Sequence, residues 1–88
     1  MITKGLSLSC SPNPLNSTGK VEFYLESPSA VRIDIFDLQG RYVQNICYDR
    51  YGSGSYSVLL ERGTLSDGVY ILRMTTEKGI SSQRLIIR

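Results

Sequence analysis

Short segments of alternating apolar and polar residues repeat along this chain, and they constrain its fold more than any other feature. The clearest is residues 20–26, where Val21, Phe23 and Leu25 alternate with charged residues and a tyrosine. An antiparallel strand with one buried and one solvated face produces this pattern. No segment places apolar residues at helical spacing over three turns. The sequence therefore predicts an all-β protein.

Seven such segments are predicted within the 88 residues, separated at short intervals by glycine, proline and asparagine. The last two, residues 68–76 and 80–88, flank a short Glu-Lys-Gly turn that forces an antiparallel hairpin. Seven short antiparallel strands favour two packed sheets. We therefore expect a seven-stranded immunoglobulin-like antiparallel β-sandwich.

A hairpin is predicted in the middle of the chain, with its tip at residues 37–41. Gly40 occupies the position that most needs a left-handed backbone conformation. On the returning strand, Val43 and Ile46 are out of phase for simple alternation. This pattern predicts a β-bulge near Gln44 or Asn45.

The final predicted strand continues to the last residue given. Within residues 83–88, Leu85 and Ile87 fall on one side of the strand and two arginines with Ile86 on the other. Chain ends are usually frayed and dispensable. This one is expected to be core structure, so a function that uses it is considered first.

Size and charge narrow the possible classes. A chain of 88 residues makes one domain, expected at residues 6–88 after an expression start or linker remnant at residues 1–5. A net charge of +2 with scattered basic residues argues against nucleic acid as a partner. No apolar run approaches the roughly 20 residues needed to cross a bilayer, so membrane insertion is not expected.

The composition also argues against catalysis. The chain has no histidine, which removes the commonest general base and metal ligand. We therefore expect no enzymatic activity, no cofactor and no metal. Cys10 and Cys47 match no metal motif, and whether they form a disulfide or remain free thiols depends on geometry.

Three segments, read together, resemble a known family. They are SPNPLN at residues 11–16, VRIDIFDLQGR at 31–41, and LSDGVYILR at 65–73 followed by QRLIIR at 83–88. Their order resembles the type A C-terminal sorting domain of cargo proteins of the type IX (Por) secretion system of Bacteroidetes. The resemblance covers residues 6–88, although the two cysteines do not belong to the pattern.

The resemblance implies a secretion signal. Such a domain directs a covalently linked N-terminal passenger across the outer membrane and is then removed by a sorting peptidase. The implied partners are the translocon, its shuttle proteins and that peptidase. The implied location is the periplasm in transit and then the cell surface or the extracellular space.

The same segments indicate which residues are expected to meet this machinery. They are Pro12, Asn13, Pro14, Gly40, Arg41, Gly68, Tyr70, Arg84, Leu85, Ile86, Ile87 and Arg88. The two prolines stiffen an exposed bend, which lowers the entropic cost of binding. The edge of the final strand could accept or donate a strand to another chain, so the edge strands also offer a route to a dimer.

An alternative function comes from a different class, an accessory carbohydrate- or protein-binding immunoglobulin-like module of a secreted protein. The chain has six tyrosines, and Tyr42, Tyr48 and Tyr51 lie around one end of the central hairpin. Exposed aromatic rings stack on ligands, although tyrosines also pack across strands. A row of tyrosines on one exposed face would favour this alternative.

Overall fold

Seven β-strands make up most of the chain in the computed structural model, which describes residues 6–88. They are β1 (Leu6–Ser11), β2 (Thr18–Leu25), β3 (Ser29–Phe36), β4 (Tyr42–Tyr51), β5 (Gly54–Glu61), β6 (Gly68–Thr76) and β7 (Gly79–Ile87). The predicted number of strands is confirmed. The start or linker remnant expected at residues 1–5 lies outside the described residues.

The strands form two antiparallel sheets that pack face to face. The small sheet has the order β1-β2-β5 and the large sheet the order β4-β3-β6-β7. The predicted seven-stranded sandwich is therefore confirmed, with β7 at one edge of the large sheet. Within residues 6–88 there is no helix long and apolar enough to span a bilayer.

The core lies between the sheets and is built from the inward positions of the alternating segments, together with Leu15 from the connection between β1 and β2. Its fully buried side chains are Leu15, Val21, Phe23, Leu25, Val31, Ile33, Ile35, Leu60, Leu72, Met74, Leu85 and Ile87. Phe23 stacks on Tyr56 at 5.4 Å between ring centroids and meets the edge of Tyr51 at 5.2 Å. Each buried aliphatic or aromatic side chain contributes about 1.5–3 kcal/mol of transfer free energy.

Strand β4 is irregular where its apolar residues fall out of phase. Its register against β3 shifts twice. Ile46 and Val43, which flank Asn45 and Gln44, therefore have no directly opposite residue on β3. Both residues pack against the core. The predicted bulge is confirmed, because the extra residues turn apolar side chains inward that simple alternation would expose.

The carboxyl group of Asp34 is buried, although it lies on the outer face of the large sheet. Asp34 is only 4% exposed. The Arg32 Nε donates to its Oδ2 at 2.7 Å, and the Asn45 Nδ2 donates to its Oδ1 at 2.9 Å. These contacts offset the cost of removing the charge from water. The bulge in β4 brings Asn45 opposite Asp34.

The two cysteines are free thiols in different sheets. Cys10 lies in β1 and Cys47 in β4, and both are half-buried against the core. Burial raises the pKa of both thiols. A raised pKa lowers the thiolate fraction, so neither side chain has the environment of a reactive cysteine.

Candidate functional site

The sequence-predicted residues gather at one end of the sandwich. Strand β3 ends at Phe36, which is opposite both Tyr42 and Ile71, and Ile71 in turn is opposite Arg84 near the end of β7. We call this the bend end, because the connections at residues 12–17, 37–41 and 62–67 all lie there. The fold thus brings together segments that are far apart in the chain.

The side chain of Asn13 binds the last strand. Its Nδ2 donates to the Arg84 carbonyl oxygen at 2.8 Å, and its Oδ1 accepts from the Ile86 N–H at 2.9 Å. A carboxamide presents one donor and one acceptor in nearly the arrangement of a peptide group. Asn13 therefore occupies the edge of β7 as a backbone peptide of a neighbouring strand would.

Leu15 continues this pairing through its backbone. Its N–H donates to the Ile86 carbonyl oxygen at 2.7 Å, and its carbonyl oxygen accepts from the Arg88 N–H at 3.0 Å. This is a parallel bridge opposite Ile87, and the Leu15 side chain is fully buried. The neighbouring Pro12 and Pro14, which follow cis peptide bonds, remain exposed. The bend is thus an exposed loop with one core anchor.

These four hydrogen bonds change the expectation for the strand edge. Sequence reasoning treated the edge of the final strand as free to accept or donate a strand. Over Arg84 to Arg88 that edge is instead covered by Asn13 and Leu15. Covering an exposed edge with a loop is a known way to prevent strand addition by other chains. Pairing through this stretch would first require the bend to leave.

Gly19 has no room for a side chain beneath the bend. A Cβ added there would lie 2.5 Å from the Ser11 carbonyl oxygen and 2.9 Å from the Leu15 Cδ1. The backbone oxygen cannot move aside without displacing β1. Gly19 is therefore required for close packing, not for a special backbone angle.

We expect Gly19→Ala to lower the free energy of unfolding by about 1–3 kcal/mol, because the added methyl group overpacks the base of the bend. Urea unfolding would measure the loss. Gly52→Ala is the matched control, since its added Cβ would meet only the Tyr56 hydroxyl at 3.7 Å. Equal midpoints for the two variants would contradict the steric role of Gly19.

Removing the Asn13 side chain is expected to cost about 1–2 kcal/mol, since two solvent-accessible hydrogen bonds are lost. Asn13→Ala should also speed hydrogen exchange at the Ile86 amide, which loses its acceptor. Asn16→Ala is the control, because Asn16 is exposed in the same connection and contributes only its carbonyl oxygen, which Arg62 contacts at 3.4 Å. Unchanged exchange at Ile86 in Asn13→Ala would show that the side chain does not hold the strand.

Arg62 ties the bend to the connection between β5 and β6. Its Nε donates to the Leu65 carbonyl oxygen at 2.8 Å, and its backbone N–H donates to the Ser17 carbonyl oxygen at 2.8 Å. Its guanidinium also pairs with Asp67. Arg62 is half-buried and hydrogen-bonds carbonyl groups of two connections, which would otherwise bond only to solvent.

The central hairpin tip carries two predicted residues, and Asp37 organises both. Gly40 has φ of 86°, the left-handed conformation that the sequence predicted. Its N–H donates to the Asp37 carbonyl oxygen at 3.0 Å. The Arg41 N–H and Nε each donate to the Asp37 carboxylate at 2.9 Å. Arg41 is therefore an exposed cation held in one place by the turn.

The stability of this tip should depend on pH. The backbone N–H of Arg41 is the largest of several contacts that lower the pKa of the Asp37 carboxyl. A lowered folded-state pKa stabilises the protein above the ordinary value of about 3.9. That stabilisation is lost as the pH falls through the lower folded-state value. Urea midpoints of wild type and Asp37→Asn should therefore converge on acidification, whereas a constant difference would contradict the assignment.

Gly68 and Tyr70 begin β6 at the same end. Tyr70 is half-buried against the core, and its hydroxyl donates to the Ser66 carbonyl oxygen at 2.8 Å. It lies on the core-facing side of the strand, opposite Leu85. Leu85 and Ile87 are fully buried as well. In the folded domain the side chains of Tyr70, Leu85 and Ile87 pack beneath the bend end. The exposed residues there are Asn13, Arg41, Arg84 and Arg88.

The three tyrosines near the central hairpin do not form one platform. Tyr51 turns inward and packs against Phe23 and Tyr56. Tyr42 and Tyr48 lie on the outer face of the large sheet, one beside Phe36 and the other opposite Arg32. The row of tyrosines that would favour a sugar-binding module is therefore not present among the described residues.

Sequence reasoning missed four residues that shape this end: Leu15, Gly19, Asp37 and Arg62. Leu15 had a usable signal, because a single aliphatic residue between polar turn residues suggests an anchor. Asp37 also had one, since an aspartate three residues before the turn glycine suits side-chain bonding to the backbone. Arg62 had none, because it contacts carbonyl groups of a connection distant in the chain. Gly19 had none either, because its close contacts with Ser11 and Leu15 arise only when the bend folds back over β2.

A family model described as the secretion system C-terminal sorting domain matches residues 9–88. No curated protein sequence matches the chain. Among solved structures, one similar fold lies in dimeric latent PorU from Porphyromonas gingivalis, with 15% sequence identity and a TM-score of 0.75. That similarity covers 93% of this chain and 9% of the PorU chain.

A second similar structure is the human B7-H4 IgV-like domain. Its sequence identity is 14%, its TM-score is 0.55, and the match covers 94% of this chain and 96% of that domain. At these identities the two structures establish the fold alone. They place the sandwich described above among immunoglobulin-like domains.

Proposed function

The chain belongs to the family of secretion system C-terminal sorting domains. We propose that the export machinery recognises the bend end of the folded domain. The domain is a type IX secretion C-terminal signal of the kind found in Bacteroidetes. As such it accompanies a passenger protein to the cell surface or the extracellular space and interacts with the secretion machinery. The proposal concerns how this is done.

The observation that carries the proposal is the docking of the bend on the terminal strand. Asn13 and Leu15 bind the backbone of Arg84, Ile86 and Arg88. Segments about 70 residues apart therefore form one surface only when the domain is folded. A receptor that contacts this surface would distinguish a folded domain from an unfolded chain.

The residues proposed for this surface fall into two groups. The exposed group would contact partners directly: Pro12, Asn13, Pro14, Gly40, Arg41, Arg84 and Arg88. The others, Gly68, Tyr70, Leu85, Ile86 and Ile87, are half or fully buried and would mainly hold β6 and β7 in place. We assign the whole of residues 6–88 to the signal.

The finer steps follow from the family and remain part of the proposal. The domain would cross the periplasm in transit, bind shuttle proteins and the translocon, and be removed from its passenger by a sorting peptidase. This role requires no catalytic group in the domain itself, in keeping with a chain without histidine. A dimer through edge strands would use the edges of β1, β4 or β5, because Asn13 and Leu15 cover the end of β7.

The test is export of a reporter protein fused ahead of residues 1–88 in a type IX-competent bacterium. We expect the fusion to reach the medium or the cell surface. Removing Gln83 to Arg88 should leave it in the periplasm. Export that survives this deletion, or a complete fusion that is not exported, would contradict the proposal.

A folded variant separates recognition from simple unfolding. Asn13→Ala should reduce export at a temperature where the purified domain remains folded, and Asn16→Ala should not. Equal export of the two variants would indicate that the bend serves stability alone.

A further inference from the structure

The outer faces of the two sheets differ sharply in composition. The outward positions of the small sheet include five serines, Ser7, Ser9, Ser11, Ser55 and Ser57, together with Lys20 and Glu22. The outward positions of the large sheet include Arg32, Asp34, Phe36, Tyr48, Arg73 and Arg84, and we call the whole outer face of this sheet the arginine face. Serine, lysine and glutamate are depleted at protein interfaces, whereas arginine, tyrosine and phenylalanine are enriched.

Exposed apolar groups also concentrate on the arginine face. Tyr48 is 71% exposed, and Tyr42, Ile80 and Val69 are 55%, 53% and 38% exposed on the same side. Only Tyr24 and Leu59 are exposed to this extent on the strands of the small sheet within residues 6–88. A cluster of large exposed apolar side chains on one face is typical of an interaction surface.

The charge of the arginine face is positive. Its strand positions include one carboxylate, Asp34, which is buried and already bonded to Arg32 and Asn45. Among the described residues, no carboxylate lies within 4.0 Å of the guanidinium groups of Arg73 or Arg84. A partner would therefore meet cations set among apolar side chains.

The aromatic rings on this face are already partly covered. The guanidinium of Arg73 lies 4.4 Å from the ring centroid of Phe36, and that of Arg32 lies 5.5 Å from the ring centroid of Tyr48. A sugar would need those ring faces for stacking. Stacked guanidinium groups keep their edge N–H donors available for a carboxylate instead. The geometry favours an acidic protein surface over a glycan.

We propose that the arginine face docks an acidic, partly apolar protein surface of the export machinery. The inference rests on the proposed function but concerns the outer face of the large sheet, which shares only Arg84 with the exposed group of the bend-end surface. Four strands of about eight residues give a face of roughly 500 Å² in projection. This area suits a transient complex, which a signal that is later released requires.

The experiment compares two double variants with the same chemical changes on opposite faces. Tyr48→Ser with Arg73→Gln alters the arginine face without touching the bend end, and Tyr24→Ser with Lys20→Gln alters the small sheet. Urea midpoints of both purified domains should match wild type. If the first variant is destabilised, Tyr48→Ser alone is compared with Tyr24→Ser alone.

We expect export of the reporter to fall at least about tenfold in the arginine-face variant and to stay unchanged in the control. If the wild-type fusion is exported and both variants are exported equally well, this inference is overturned and the proposed function stands. Failure of the wild-type fusion would overturn both.

A photo-crosslinking residue at position 48 distinguishes the partner's chemistry, with position 24 as the control. An adduct mapped to an acidic segment of an identified export protein supports the inference. An adduct with lipopolysaccharide, or binding of the purified domain to lipopolysaccharide vesicles that Arg73→Gln abolishes, would overturn it in favour of a glycan partner.

Discussion

Replacing Leu15 with alanine is expected to lower the free energy of unfolding by about 2–5 kcal/mol, a large share of the roughly 5–15 kcal/mol typical of a domain. Leu15 is fully buried although it lies in an irregular connection. Its loss leaves a cavity at the place where the bend meets Ile87 and where Gly19 packs against the Leu15 Cδ1. The backbone hydrogen bonds between Leu15 and β7 should weaken when this side chain is lost.

Urea unfolding of Leu15→Ala would measure this loss as a lower midpoint with an unchanged slope. Leu38→Ala is the control, because Leu38 also lies in a connection but is 63% exposed. The free energy of unfolding of Leu38→Ala should stay within about 0.5 kcal/mol of the wild-type value. A similar midpoint for Leu15→Ala would mean that the bend is not anchored in the core.

Replacing Ile87 with alanine is expected to cost a similar 2–5 kcal/mol, because a terminal-strand side chain that is only 1% exposed leaves a cavity. Ile87 is opposite Gly68 in the ladder and beside the Leu15 bridge. Its loss should therefore loosen both the last strand and the bend. Hydrogen exchange should become faster at the amides of Ile86 and Arg88. The whole domain should also unfold at a lower urea concentration.

Ile80→Ala provides the comparison within the same strand. The Ile80 side chain is 53% exposed on the opposite face of β7, so its truncation should cost well under half as much. If the two variants unfolded at the same urea concentration, the terminal strand would not be part of the core. The folded surface proposed for recognition would then lack its support.

Much of the fold could be predicted because it depends on local periodicity. The alternation around Val21, Phe23 and Leu25 specifies which side chains are inward once a strand forms. The out-of-phase Val43 and Ile46 likewise required a bulge, since both must reach the core. Gly40 was predicted at the hairpin tip because only a glycine adopts its φ of 86° without strain.

The candidate site was predicted only in part. Sequence reasoning selected Asn13 and the last strand as separate elements, and the structure joins them through two hydrogen bonds, to which Leu15 adds two more. It did not identify Asp34 as a buried carboxylate. The bulge in β4 and the neighbouring strands bury that residue on the outer face of the sheet.

The sequence by itself determined that this chain is a sandwich of seven short strands whose last strand carries core residues. Alternation and turn chemistry act between near neighbours, so they can be read without coordinates. Only the tertiary structure decided that the bend closes the edge of the last strand, that Gly19 must lack a side chain, and that the arginines share one face. Each of these depends on which atoms meet once the strands pair in register, the connections fold back and the sheets stack, a relation that no local pattern in the chain records.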